Sequence, residues 1–233
     1  FEISNASSSL TIWDVSNPLI PKKQSLSTID SKAIFSLKTD SLKEFIAFSG
    51  VFKNVELNGK VSNQNLHALK DIDYLIVSHP TFLTEANRLA DFHRTKGLSV
   101  AVVTPQQIYN EFSSGSQDVS AIRDFARMLY NNDNPLKYML LFGDASYDPK
   151  NRVIENTNFI VSYQSSNSTN ALYSYVSDDY FALLDEEESI SNDNPLLSFL
   201  DIGVGRFPVQ TLEEAKNAVD KVINYNVEDS FGD

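Results

Sequence analysis

The sequence predicts an α/β protein with a mostly parallel, four-stranded sheet between two layers of helices, preceded by a small β-rich segment. From residue 71 onward, short apolar runs alternate with stretches whose apolar residues recur at helical spacing, the pattern of successive strand–helix units. The run 138–142, Tyr-Met-Leu-Leu-Phe, is bounded by turn residues and is typical of a strand buried on both faces. We therefore predict two parts, residues 1–70 and residues 71–233.

The first part is predicted to be β-rich. Short apolar segments at 10–15, 33–37 and 44–48 are separated by turn residues, and nothing among them repeats at helical spacing. This pattern predicts three or four antiparallel strands. We interpret them as the end of a preceding β-domain.

The second part contains four apolar runs that predict the strands of the sheet, at residues 74–77, 100–103, 138–142 and 200–207. Helix signals lie between them, such as the Thr104-Pro105 start and an apolar face that opens at Asp118. For such an alternation we expect a mostly parallel sheet with helices on both faces and strand order 2-1-3-4. The crevice between the first and third strands would lie near His79 and Asp144, at the edge where open α/β sheets bind ligands.

The composition of the chain excludes several classes of chemistry. The 233 residues carry a formal net charge of -12 at pH 7 and include no cysteine. The negative charge disfavours nucleic acid, whose binding depends on Lys and Arg neutralising phosphates, but it is compatible with cations, especially calcium. Without cysteine the chain has no disulfide, no thiolate metal ligand and no cysteine nucleophile of its own. No apolar run approaches the ~20 residues of a membrane span.

Asp144, which follows the central strand, is the first candidate for a functional carboxylate. Asp185, Glu186 and Asp201 lie at or near strand ends that could converge with it on one edge of the sheet. Calcium takes ~6–8 oxygen ligands from carboxylates and carbonyls, and an irregular acidic loop can supply both. The pattern is equally compatible with Asp144 capping a turn and with the acidic residues after Glu186 forming a solvated tip.

A second pair of carboxylates, Asp178 and Asp179, predicts a structural contact. Adjacent residues on a strand point to opposite faces, so both cannot readily hold one ion. Arg206, flanked by Gly205 and Phe207 near a sheet edge, needs a bidentate carboxylate partner. We therefore predict a structural salt bridge between Arg206 and one of these two aspartates.

Several segments stand in a characteristic order: Leu140-Leu141-Phe142-Gly143-Asp144, Ser177-Asp178-Asp179-Tyr180-Phe181 and Ile202-Gly203-Val204-Gly205-Arg206-Phe207-Pro208. In this order they resemble the gingipain family of cysteine peptidases. Residues 143–152, Gly-Asp-Ala-Ser-Tyr-Asp-Pro-Lys-Asn-Arg, and 163–166, Tyr-Gln-Ser-Ser, resemble the sortase branch of that family, which serves the type IX secretion system of the Bacteroidota.

The resemblance implies a fold and a calcium site. A gingipain peptidase region has two caspase-like halves, and residues 71–233 resemble the first, an α/β/α layer. The catalytic His and Cys of the family lie in the second half, so we expect this chain to be a non-catalytic piece of a longer protein. The family binds calcium in its first half, and the resemblance implies Asp144, Asp185, Asp201 and the backbone carbonyl of Leu184 as ligands.

The resemblance also implies an activity for the parent protein. It would cleave the C-terminal sorting signal from secreted cargo and transfer the cargo to surface lipopolysaccharide, through an acyl-enzyme formed by a His-assisted thiolate. The expected partners are the catalytic second half of the same polypeptide, the protein cargo and outer-membrane secretion components, and the expected location is the extracellular face of the outer membrane. Two rivals stay open, a calcium-binding surface adhesion module and a magnesium-dependent hydrolase that uses Asp144, Asp178 and Asp179.

Overall fold

The structure, a computed structural model, describes residues 1–50, 56–57, 59–166, 169–170, 172, 174–186, 188, 190 and 198–225. The chain forms two compact units, Phe1–Val61 and Ser62–Asp233. The boundary that we predicted after residue 70 lies inside the second unit. This second unit contains the whole predicted parallel sheet.

The described part of the first unit contains two small antiparallel sheets. Its strands are β1 (Glu2–Ser4), β2 (Leu10–Asp14), β3 (Lys22–Lys23), β4 (Ser27–Ile29), β5 (Lys32–Ile34) and β6 (Phe45–Ser49). They pair in the orders β1-β5-β4 and β3-β2-β6. The expectation of three or four strands was wrong for residues 1–50, because strands of two or three residues are too short to show a period in the sequence. Ile12, Ala33 and Phe35 are buried in this unit.

The second unit is built on a parallel sheet. The strands of this unit are β7 (Tyr74–Ser78), β8 (Val100–Val103), β9 (Tyr138–Phe142), β10 (Tyr163–Gln164), β11 (Val176–Ser177) and β12 (Gly203–Phe207). Four of them pair in parallel in the order β12-β9-β7-β8, which confirms the predicted order 2-1-3-4. The short strands β10 and β11 form a separate antiparallel pair.

Among the described residues, four α-helices accompany this sheet: α1 (Leu83–Thr95), α2 (Pro105–Phe112), α3 (Val119–Tyr130) and α4 (Leu212–Tyr225). Their starts follow local capping signals. Thr104 and Gln107 form a capping box at α2, and the Asp118 side chain accepts an N–H at the start of α3. Thr211 and Glu214 exchange the same kind of bonds before α4. No described helix is both long enough and apolar enough to cross a membrane.

Successive residues of β9 face two separate cores. Met139 and Leu141 pack in the core that also contains buried residues of α2 and α3. Leu140 and Phe142 pack in the core that contains buried residues of α1 and α4. Because side chains alternate between the faces of a strand, this division places one pair of helices on each face of the sheet. The predicted three-layer α/β/α architecture is therefore confirmed.

Candidate functional site

The central strand β9 ends in a closely packed turn. Gly143 adopts a φ of +148°, which residues with a Cβ rarely adopt. A Cβ at this position would lie 2.9 Å from the Cβ of Phe159 and 3.1 Å from the Cγ1 of Ile160. Both the backbone conformation and the packing therefore require glycine here, and the next residue, Asp144, is held at a defined place.

Asp144 is anchored through its backbone and through one carboxylate oxygen. Its N–H donates to the carbonyl of Val209 at 3.1 Å, and its carbonyl accepts the N–H groups of Phe159 at 3.1 Å and Ile160 at 3.0 Å. Its Oδ2 accepts a hydrogen bond from Nε2 of Gln210 at 2.7 Å. Within the described ranges Oδ1 has no hydrogen-bond partner, so one of the two carboxylate oxygens is available to a ligand.

Arg206 of β12 uses all five of its N–H donors. Its Nε and one terminal nitrogen bind both carboxylate oxygens of Asp178, at 2.8 and 2.7 Å. The remaining donors reach the carbonyls of Gly143 and Ile160, both at 2.9 Å, and of Val161 at 3.3 Å. The guanidinium therefore joins three segments of the chain around the end of β9.

The structure thus pairs Arg206 with Asp178, as the sequence predicted for one of the two aspartates. Asp179 is exposed at the start of a short 3-10 helix and makes no bond to Arg206. Both oxygens of Asp178 are occupied by the guanidinium, so they do not join Asp144 and Asp179 in a free metal-binding set. This geometry disfavours the magnesium-dependent hydrolase.

A cavity of about 380 Å³ lies at this carboxyl edge of the sheet, lined among others by Asp144, Arg206 and Asp178. One wall of the cavity contains Tyr147, which lies in the loop after Asp144. Asp148 organises that loop, because its carboxylate accepts the N–H groups of three residues: Lys150, Arg152 and Val153. Hydrogen bonds from the backbone of Val153 and Arg152 lower the pKa of the Asp148 carboxyl below its usual value.

His79, at the end of β7, is a turn residue. Its N–H donates to the carbonyl of Phe142 at 3.1 Å, and its Nδ1 accepts the N–H of Thr81 at 3.3 Å. The ring meets that of Phe159 edge-on at 4.8 Å. Burial lowers the pKa of His79, so the imidazole is neutral at pH 7 and serves as a cap for the turn.

Three carboxylates converge at the opposite, amino end of β12. Asp185, Glu188 and Asp201 each offer an oxygen within 4.8 Å of the others, and Glu188 is 8% exposed. We call these three residues the acidic cluster. Glu188 accepts the N–H groups of Asp185 at 3.1 Å and Phe199 at 3.0 Å, and Asp201 accepts that of Leu184 at 2.7 Å.

Two arginines of α3 hold the carbonyl side of the same loop. Arg127 donates from Nε to the carbonyl of Leu184 at 2.7 Å. Arg123 donates to the carbonyls of Leu183 and Glu188. The loop therefore turns its carbonyls towards α3 and several of its N–H groups towards the acidic cluster, which leaves the three carboxylates concentrated at one point.

Comparison with known proteins identifies the family to which the chain belongs. Residues 67–233 match the sequence profile of peptidase family C25. The chain belongs to peptidase family C25, the gingipain family. A search of the curated proteins found no match.

Among solved structures, the chain is similar to a C25 protein over most of its length. It is 36% identical to dimeric latent PorU from Porphyromonas gingivalis, with a TM-score of 0.75, and the match covers 97% of this chain and 23% of PorU. A more distant match is the Arg-specific cysteine proteinase gingipain R (RgpB), with 17% identity and a TM-score of 0.49 over 71% of this chain and 31% of that protein. Another is the complex of the P. gingivalis RgpB pro- and mature domains, with 18% identity and a TM-score of 0.47 over 66% of this chain and 29% of that chain. The chain therefore spans about a quarter of PorU.

The structure of this C25 chain does not bring the four predicted calcium ligands together. Asp144 follows β9, whereas Asp201 precedes β12, and the two strands run parallel with Tyr138 opposite Gly203 and Phe142 opposite Phe207. At roughly 3.3 Å per residue, about 15 Å or more separates the two aspartates. The expectation that these carboxylates converge on one edge is corrected: Asp185 and Asp201 share a site, and Asp144 belongs to the other end of the sheet.

Two further differences concern the loop of the acidic cluster. The carbonyl of Leu184 was expected to be a calcium ligand. It accepts a hydrogen bond from Arg127, and this contact disfavours its role as a ligand. Glu188, which the sequence left within a possible solvated tip, is buried in the cluster. Its three-residue spacing from Asp185 is the only local signal that could have indicated this. Glu187, beside it, lies outside the described residues.

Proposed function

We propose that this chain is the first, non-catalytic part of a C25 cysteine endopeptidase and transpeptidase, a sortase that removes C-terminal signals from type IX secretion cargo. The likeness to PorU, at 36% identity over 97% of the chain, carries this proposal. The composition supports it, because a cysteine peptidase attacks its substrate with a thiolate and these 233 residues contain no cysteine.

In this proposal the sheet supports the substrate groove, while a second half of the same polypeptide supplies the catalytic His and Cys. The partners would be cargo proteins with a C-terminal signal and outer-membrane components of the secretion system. The protein would be exported and would act at the extracellular face of the outer membrane. Membership of peptidase family C25 and the likeness to PorU support this part of the proposal.

Peptidase assays on the chain with and without its downstream coding sequence test the proposal. We expect no cleavage of a peptide that spans a cargo signal junction by the 233-residue chain alone. The longer polypeptide should cleave it, and iodoacetamide should abolish that activity because it alkylates the thiolate. Cleavage by the chain alone, or a longer polypeptide insensitive to the alkylating agent, would contradict the proposal.

The sortase role needs a test in the cell. Deleting the gene should leave secreted cargo with its C-terminal signal attached, which mass spectrometry of the secreted fraction would detect. Complementation with the full gene should restore signal removal, whereas complementation with a gene that encodes only these 233 residues should not. Normal cargo processing in the deletion strain would leave the chain as a C25 protein with another substrate.

We also propose that the acidic cluster binds calcium. The three carboxylates supply hard oxygen ligands within 4.8 Å of one another, and calcium completes its coordination with carbonyls or water. The burial of Glu188 supports the proposal because concentrating negative charge in a half-buried loop is costly unless a cation offsets it. Burial and the charge of Asp201 raise the pKa of the nearby Tyr130, so its hydroxyl stays protonated at neutral pH and donates to Asp201 at 3.3 Å.

Thermal melts in calcium and in chelator should detect this ion. A ligand at 100-fold its dissociation constant adds about 2.7 kcal/mol of stability, which for a protein of this size raises Tm by roughly 5–10 °C. The variant Asp201→Asn should lose the calcium-dependent difference, whatever its own Tm. Glu186→Gln, which changes an exposed acidic neighbour outside the cluster, should keep it. Equal melts in calcium and chelator for the unaltered chain would remove the ion from the proposal.

A further inference from the structure

The cavity at the carboxyl edge of the sheet is lined by one charged side chain that no opposite charge in the lining neutralises. Arg206 and Asp178 both line it, but they neutralise each other through two hydrogen bonds of 2.8 and 2.7 Å. All other donors of Arg206 are used by backbone carbonyls. Asp144 lines the same cavity, and its Oδ1 has no partner among the described residues. The cavity therefore has a net negative charge, that of the Asp144 carboxylate, whose Oδ1 is available to a ligand.

Several hydroxyl groups line the same cavity as this carboxylate. Ser162 is 7% exposed and lines the cavity, and among the described residues its hydroxyl makes no hydrogen bond. The hydroxyls of Ser146 and Ser177 also belong to the lining, and each accepts only one backbone N–H. The Ser162 hydroxyl therefore lines the cavity with its hydrogen-bonding capacity available to a ligand.

We propose that this cavity binds a primary ammonium group carried on an aliphatic chain, as in a lysine side chain. The free oxygen of Asp144 supplies the counter-charge, and the Ser162 oxygen accepts a second ammonium hydrogen. The apolar atoms of Ala145 and Val176 in the lining contact the methylenes, as apolar surfaces commonly do with lysine stems.

The geometry distinguishes an ammonium from the other candidate ligands. An anion would be repelled, because Asp144 is the uncompensated charge. A guanidinium binds best when two oxygens of one carboxylate are free, and Oδ2 of Asp144 already accepts from Gln210 at 2.7 Å. An ammonium is a point charge with three separate donors, which matches one carboxylate oxygen and scattered hydroxyls. An ammonium site at Asp144 is compatible with a sortase and with any other function of the chain.

Titrations followed by ¹H–¹⁵N NMR of the full chain test the site. The ligands are Nα-acetyl-lysine methylamide, its norleucine and arginine analogues, glycinamide as a source of an α-amine, and calcium chloride. We expect the lysine compound to shift the backbone amides of Asp144, Ala145 and Ser177 in a saturable way, at least tenfold more tightly than the norleucine and arginine analogues. Stronger binding by glycinamide would assign the ammonium to a chain terminus instead of a lysine.

Two variants separate the pocket from general charge effects. Asp144→Asn should weaken the lysine compound at least tenfold, whereas Asp179→Asn, which removes the same charge from an exposed residue outside the lining, should leave its affinity unchanged. Ser162→Ala should weaken binding of the lysine compound several-fold. This variant tests the site if Asp144→Asn does not fold.

Four outcomes would overturn the proposal: no saturable shift, equal binding of the norleucine analogue, equal loss in Asp144→Asn and Asp179→Asn, or calcium saturating the same amides while the amine does not. Each is read from the same set of resonances, so a general loss of folding would be visible as a change throughout the spectrum.

Discussion

Replacing Arg206 with methionine is expected to lower the free energy of unfolding of the second unit by about 3–5 kcal/mol. The side chain of Arg206 is 11% exposed and that of Asp178 is 25% exposed. Methionine keeps much of the volume but removes the charge, which leaves the Asp178 carboxylate unpaired in a half-buried place. It also leaves the carbonyls of Gly143, Ile160 and Val161 without the donors that join them.

Thermal and urea denaturation would measure this loss, which corresponds to a decrease in Tm of roughly 10 °C or more for a chain of this size. Arg206→Lys should recover only part of it, because an ammonium cannot present the bidentate fork. Arg152→Met, at an exposed arginine, is the matched control and should stay within about 0.5 kcal/mol of the unaltered chain. A loss below 1 kcal/mol for Arg206→Met would show that the guanidinium does not hold the three segments together.

The second large effect is expected at Glu111 of α2. Burial alone would raise the pKa of its carboxyl, but hydrogen bonds from Gln64, Leu66 and His67 outweigh burial and lower that pKa to about 2. The two oxygens accept the Leu66 N–H at 2.7 and 2.9 Å, and one of them contacts Nδ1 of His67 at 2.6 Å. Relative to the ordinary value of 4.5, this shift corresponds to about 3 kcal/mol of stability at neutral pH.

The sign of the pH dependence follows from the lowered pKa. A carboxyl whose pKa is lower in the folded state stabilises the fold above its unfolded-state pKa, and this contribution is lost as the pH falls through the folded-state value. For Glu111 the loss therefore begins below pH 4.5 and is nearly complete near pH 2. At pH 3, less than roughly half of the contribution should remain.

Urea titrations of the unaltered chain and Glu111→Gln, at pH 7 and pH 3, would measure this dependence. The difference in unfolding free energy between the two chains should be largest at pH 7 and should shrink at pH 3. Glu213→Gln, at an exposed position in the first turn of α4, should differ little from the unaltered chain at either pH. A Glu111 difference that is the same at both pH values would show that its effect does not come from ionisation.

Much of the second unit could be predicted because its signals are local. The apolar runs, the helix start at Thr104 and the apolar face that opens at Asp118 predicted strands and helices that the structure contains. The strand order was also predicted correctly. The short strands of the first unit could not be predicted, because two or three residues do not establish an alternation and their pairing depends on distant residues.

The candidate sites show a different limit. The salt bridge of Arg206 was predicted from the needs of a guanidinium near a sheet edge, but the three carbonyls that it also binds come from an irregular path after β9. The separation of Asp144 from Asp201 was implicit in the predicted parallel sheet, since one follows a strand and the other precedes one. Glu188 could not be assigned, because its burial depends on how Arg123 and Arg127 hold the loop.

The tight turn at Gly143 affects how distant members of the family can be recognised. Any larger residue there would have to displace Phe159 and Ile160, whatever chemistry the protein performs. The glycine of the Gly-Asp pair therefore indicates the fold, and only the aspartate gives information about the ligand. A homologue that keeps the glycine but replaces Asp144 would be expected to share this scaffold while recognising something else.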